Sequence, residues 1–125
     1  MKDSSIKISI NTQNPQNDIQ SLLETIFWKE KDVVPNSLEL LTYIRDWSNT
    51  SSPHQARDWK KYCQKTNITQ SQYHTILKRL RKAGLIEKTH NKELKTHTIK
   101  TSNKFPETLG QLAEIYTKFN QNQTR

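Results

Sequence analysis

The sequence predicts a mainly α-helical chain with a small β-hairpin: a helix-turn-helix followed directly by two strands, with an amphipathic helix on either flank. Three observations carry this. Residues 69–88, TQSQYHTILKRLRKAGLIEK, open with a helix-start signal, run at helical spacing and stop at a glycine before a strand. Four other stretches show apolar residues at three- and four-residue intervals behind capping residues or prolines. The cationic excess of the chain is concentrated around the first run.

Taken in order, Ile6, Ile8 and Ile10 alternate with Lys7 and Ser9, which predicts a short strand. Asn11 to Asn17 is a polar break containing Pro15. Asp18 caps a helix whose stripe is Ile19, Leu22, Leu23, Ile26 and Phe27. A charged connector, Trp28 to Val34, leads to Pro35. Asn36 is then expected to cap the next helix, with Glu39 three residues on and Leu40, Leu41, Ile44 and Trp47 as its buried face. After the loop Asn49–Ser52, the string Ser52-Pro53-His54-Gln55 reads as another helix start. Ala56, Trp59 and Cys63 give that helix its apolar side.

Lys65-Thr66-Asn67 makes the turn and Ile68 points inward. Thr69 with Gln72 fits a capping box. Tyr73, Ile76, Leu77 and Leu80 form one stripe, which makes Tyr73 a core residue rather than a stacking platform. Gly84 fits the left-handed position that ends many helices. Leu85 and Ile86 begin a strand, and Glu87 to Thr101 reads as two strands around Asn91-Lys92-Glu93, with the turn type open because glycine is lacking. Pro106 begins a last helix carrying Leu109, Leu112, Tyr116 and Phe119. The tail from Asn120 reads as disordered.

The 125 residues suffice for one domain with a modest core, and a 31% hydrophobic content with a mean hydropathy of −0.97 implies a very polar surface. No apolar run approaches the ~20 residues of a membrane span, and the first residues lack a signal-peptide core. Cys63 is the only cysteine, so no intrachain disulfide forms. An intracellular, cytoplasmic and nucleoid-associated location is the resulting expectation. The net charge is +8. Residues 1–52 carry −2, residues 53–104 carry +10 and residues 105–125 carry 0, so the whole excess lies on the segment with the 69–88 run. That is the electrostatic footprint of a phosphate-binding surface.

The order helix, helix, turn, helix, hairpin, helix resembles the winged helix-turn-helix DNA-binding superfamily, best the small prokaryotic regulators of the multiple-antibiotic-resistance and arsenic-repressor types. The residues carrying the resemblance are Ile68-Thr69, the Tyr73/Leu77/Leu80 stripe and the junction Lys82-Ala83-Gly84-Leu85-Ile86-Glu87-Lys88. It covers roughly residues 36–101, more loosely to 119. It implies an N-terminal extension over 1–35, a winged-helix DNA-binding domain over 36–104, a packing or dimerisation helix over 105–119 and a tail over 120–125. It places Gln70, Ser71, His74, Thr75 and Lys78 towards base edges in the major groove. Arg79, Arg81 and Lys82 would track phosphates, with Ser52, His54, Lys60 and Lys61 touching the backbone from the preceding helix and Lys92 and Lys95 from the hairpin. The hairpin tip lacks the arginine common there, which favours phosphate contact over minor-groove reading.

Other chemistries find little footing. The chain has only Gly84 and Gly110, hence no glycine-rich phosphate loop, and no nucleophile elbow or carboxylate pair stands out. An enzyme is not expected, nor a cofactor. His54, His74, His90 and His97 lack metal-ligand spacing, so no metal is expected. Cys63, on an apolar helix side, reads as an inert buried thiol. The flanking helices either pack on each other or pair across a two-fold axis, and two amphipathic flanks favour a homodimer. The expected partner is double-stranded DNA. The alternative is a protein-interaction winged helix that docks on a larger partner in a replication or transcription assembly.

Overall fold

The computed structural model describes residues 5–13 and 18–122. The chain is mostly helical with a small antiparallel sheet. The elements are α1 (Ile19–Ile26), α2 (Val34–Ser48), β1 (His54–Gln55), α3 (Trp59–Thr66), α4 (Gln70–Lys82), β2 (Ile86–Asn91), β3 (Thr96–Thr101) and α5 (Lys104–Gln121), with 3-10 turns before α2 and α3. The sheet order is β1-β3-β2.

Helices α1, α2 and α4 bury one face each because their apolar residues recur at helical spacing. Leu23, Ile26 and Phe27 from α1 and its end join Leu40 and Ile44 from α2, Tyr73, Ile76 and Leu80 from α4, and Ile86 and Ile99 from the sheet in a single core. The N-terminal helix therefore shares the core of the segment that follows it. Asp18 caps α1 as its sequence predicts, its carboxylate accepting from the Ser21 N–H at 2.8 Å. That bond holds the Asp18 carboxyl below the usual range.

Several local expectations give way to the structure. Residues 5–10 form no strand; Ser9 N–H donates to Thr25 O at 2.9 Å and Ile8 packs against the core. Helix α2 starts before Pro35, with Val33 as its N-cap, so Asn36 lies within the first turn and its amide donates to Gln72 Oε1 at 3.4 Å. Trp47 is 43% exposed because the buried line of α2 runs through Ser37, Leu40, Ile44 and Ser48, one position away from it. Ser52-Pro53-His54-Gln55 does not begin a helix. It enters β1, where His54 pairs with Ile99 and Gln55 with Thr98, and α3 starts only at Trp59. The hairpin thereby becomes a three-stranded sheet.

The hairpin keeps full register from Ile86↔Thr101 to Asn91↔Thr96. Its turn is Lys92–Lys95, not Asn91–Glu93: Asn91 Oδ1 accepts from Leu94 N–H at 3.0 Å, and the left-handed residue is Lys95, at φ 57°. Helix α5 begins at Lys104, two residues before Pro106, and continues through Asn120 and Gln121, which the sequence reads as tail. The remainder of that tail, 123–125, lies outside the described residues.

The end of α4 behaves as read. Gly84 adopts φ +86°, Gly84 N–H donates to Arg81 O and Leu85 N–H to Leu80 O, both at 3.0 Å. This is the paired bonding of a Schellman cap. The missing side chain matters twice, since a Cβ on Gly84 would stand 2.9 Å from Phe105 N and 3.2 Å from Lys104 Cβ. Gly84→Ala is expected to cost at least about 1–2 kcal/mol from the left-handed backbone alone, read as a lower urea midpoint at unchanged slope.

Candidate functional site

Helix α4 carries the residues that the sequence nominates for function, and two polar anchors fix which of them face outward. The first is Tyr73. Its ring is 1% exposed, and its Oη shares a 2.7 Å hydrogen bond with His54 Nε2 on β1. Tyr43 and Tyr62 complete an aromatic nest around His54, with ring centroids 5.4 and 6.1 Å away. Burial pushes the Tyr73 and Tyr62 phenols well above their ordinary range. Burial likewise lowers the His54 pKa, which the Asp58 carboxylate offsets in part. His54 is thus a buried, neutral structural residue and not a phosphate contact.

The second anchor is Arg79. Its guanidinium donates to Ile26 O at 2.8 Å and to the Glu30 carboxylate, and lies 5.5 Å from the centre of the Phe27 ring. An arginine can satisfy a carbonyl and a carboxylate at once because its donors form a rigid fork. Arg79 therefore ties α4 to the end of α1 and does not track phosphates. Lys82 lies on the same side, lining a hollow of about 190 Å³ with Lys7, Trp28 and Arg79.

With these two sides of α4 occupied, Gln70, Ser71, His74, Thr75, Lys78 and Arg81 are exposed. Thr69 caps the helix through its hydroxyl, which accepts from Gln72 N–H at 3.1 Å; the Gln72 side chain turns to Asn36 instead of closing a full capping box. His74 is held by a 3.0 Å bond between Nδ1 and Gln70 O and by the rings of Tyr73 and Trp59, at 5.0 and 5.9 Å. Only an Nδ1–H can donate to that carbonyl, so the neutral ring presents Nε2 as an acceptor.

His74, Lys78 and Arg81 follow at four and three residues along one face of α4. They meet Lys88 of β2 around a cleft of about 220 Å³ floored by Leu77, Ile86 and Ile99. Sequence reasoning does not place Lys88 in this group. Its position follows from the alternation that puts it on the same strand face as Ile86. The remaining nominated residues are dispersed. Lys60 is exposed on α3. Ser52 and Lys61 line a second cleft, of about 340 Å³, beside Tyr43, Trp47 and Tyr62. Lys92 and Lys95 stand exposed in the hairpin turn.

Cys63 is buried, and burial raises its thiol pKa despite the neighbouring lysines. No cluster of three or more His, Cys, Asp or Glu suited to a metal occurs among the described residues. No helix among them is long and apolar enough to cross a membrane.

A family model described as an archaeal family matches residues 16–119. The chain belongs to this archaeal family. The match takes in α1 through nearly all of α5, so the family unit includes the helix that Arg79 clamps as well as the cationic face of α4. No curated protein and no solved structure matches the chain.

The neutral, buried His54 gives stability a pH dependence of definite sign. Its folded pKa lies below the ordinary 6.5, so below about pH 6.5 the unfolded chain takes up a proton that the folded chain refuses. The stability attached to His54 is complete above that pH and is lost as pH falls towards the lowered folded value. Thermal unfolding is expected to shift down between about pH 7 and about pH 5.5, a window above ordinary carboxylate titration. Scanning calorimetry should show a smaller shift in a His54→Gln variant.

Proposed function

We propose that this chain is a winged-helix protein that binds duplex DNA as a transcription regulator. The observation that supports it most is the grouping of His74, Lys78 and Arg81 with Lys88 across the α4–hairpin cleft, within the segment that carries +10. The element order α2, β1, α3, α4, β2, β3 supports the winged-helix reading, with α4 as the reading helix and β2–β3 as the wing. An α-helix fits the major groove of B-form DNA, and the hairpin behind it reaches adjacent phosphates.

In this reading Gln70, Ser71, His74, Thr75 and Lys78 face base edges. Gln70 suits an adenine edge, Lys78 a guanine edge, and His74 Nε2 accepts from an exocyclic amino group. Lys60, Lys61, Arg81, Lys88, Lys92 and Lys95 neutralise phosphates, each contact contributing a slope of about −0.9 to the log–log salt dependence. Arg79 and His54 play no part in contact and serve to hold α4 in place.

A Lys78/Arg81/Lys88 triple alanine variant is expected to lose duplex affinity by at least about tenfold and to flatten the salt slope by two to three phosphate equivalents. Fluorescence anisotropy on duplexes selected from a random library provides the readout, and full affinity in that variant would rule the reading out. Arg79→Ala should separate the two roles: a loss of about 1–2 kcal/mol in folding stability, with affinity retained at a temperature where the variant is folded.

A further inference from the structure

The histidines of the chain are not equally occupied. His54 Nε2 meets Tyr73 Oη and His74 Nδ1 meets Gln70 O, so each has a ring nitrogen engaged. His90 and His97 stand directly opposite one another on β2 and β3, and both are exposed. Their rings lie edge to face with centres 5.3 Å apart, and neither takes part in a hydrogen bond among the described residues. Two imidazoles are thus held side by side with their nitrogens available to a ligand.

The hairpin fixes this pair. Directly opposed residues on antiparallel strands hold their Cβ atoms about 4.5–5.5 Å apart. Only the pair Asn91↔Thr96 separates the histidines from the turn, which Asn91 Oδ1 closes by accepting from Leu94 N–H. Spacing along the chain hides the site, because register across the hairpin, and not a helical or loop interval, brings the rings together. By the alternation of side chains, His90 shares the strand face of Ile86 and Lys88. The pair therefore continues the sheet side of the α4 cleft towards the hairpin turn.

We infer that His90 and His97 form a two-imidazole site for a divalent zinc ion. A metal ~2.0–2.1 Å beyond a ring nitrogen stands about 3.2 Å from the centre of that imidazole. Ring centres 5.3 Å apart then subtend about 110° at a shared ion, the tetrahedral angle that zinc adopts. The ~90° of a square-planar copper site would need the centres at about 4.5 Å. Neutral nitrogen donors suit zinc and not magnesium, which seeks oxygen. Two protein ligands leave the rest of the shell to water or an outside donor. Lys88 on the same face, with Lys92 and Lys95 in the turn, opposes a cation and holds the affinity to the micromolar range.

This inference does not rest on DNA binding, since zinc affinity is measured on the full chain alone. Calorimetric titration with zinc chloride at about pH 7.5, because only unprotonated imidazole ligates a metal, should give a site with a Kd between about 1 and 100 µM. Magnesium chloride should give none. Long-range proton–nitrogen NMR spectra should show the His90 and His97 rings shifting with zinc while the buried His54 ring stays in place. His90→Ala and His97→Ala should each weaken zinc binding at least about tenfold, with unchanged far-ultraviolet circular dichroism because both side chains are exposed. Thr89→Ala, on the opposite strand face, should keep full affinity. Zinc should raise the thermal midpoint of the natural chain, by tying β2 to β3, and not that of either histidine variant. Zinc affinity indifferent to both histidine variants, equal loss in Thr89→Ala, or no binding up to about 1 mM zinc would overturn the inference.

Discussion

The hydrogen bond between Tyr73 and His54 joins the two parts of the molecule that matter most. An isolated helix the length of α4 is marginal in water, so its orientation is set by what it packs against. Tyr73 is almost wholly inaccessible, and a buried phenol needs a polar partner to offset its desolvation. That partner stands on β1, which pairs with β3, which in turn pairs with β2. One polar contact thus links the helix bearing His74, Lys78 and Arg81 to the sheet bearing Lys88. Arg79 lies six residues further along α4, on a different side of the helix, and reaches α1. Anchors on two sides of a helix fix its rotation about its own axis. The identity of the outward face is therefore a consequence of Tyr73 and Arg79, not of the cationic residues themselves.

Much of this was legible in the sequence where the information is local. The stripes of α1 and α4, the Asp18 and Thr69 caps and the stop at Gly84 all depend on neighbours within a few residues, and they stand in the structure, apart from Ile19, which is exposed at the start of α1. The failures share a different cause. A two-residue strand at His54–Gln55 exists only because Ile99 and Thr98 come to lie beside it, and no local signal announces that pairing; locally, serine, proline and glutamine there spell a helix start. Arg79 is indistinguishable in composition from Arg81, and only the arrival of Glu30 and Ile26 O, contributed by the N-terminal segment, separates their roles. Trp47 follows Ile44 at helical spacing, but the small Ser48 takes the buried position that continues Leu40 and Ile44.

The case of Arg79 also changes how the charge ledger is read. Counting by segment assigns its charge to the +10 region, yet the guanidinium is paired with Glu30, which belongs to the −2 region. The surface consequence is a redistribution. The α1 side of α4 is partly neutralised and engaged, while the cleft side keeps His74, Lys78, Arg81 and Lys88 together.

Gly84 ties that arrangement to the last helix. Phe105 N–H donates to Gly84 O at 3.0 Å, and the absent Cβ is what allows the two segments to approach so closely. The first turn of α5 is thus set against the residue that ends α4, across the intervening hairpin. Phe105 packs against the core at the same point. A side chain at position 84 would therefore disturb two junctions at once, the end of α4 and the start of α5.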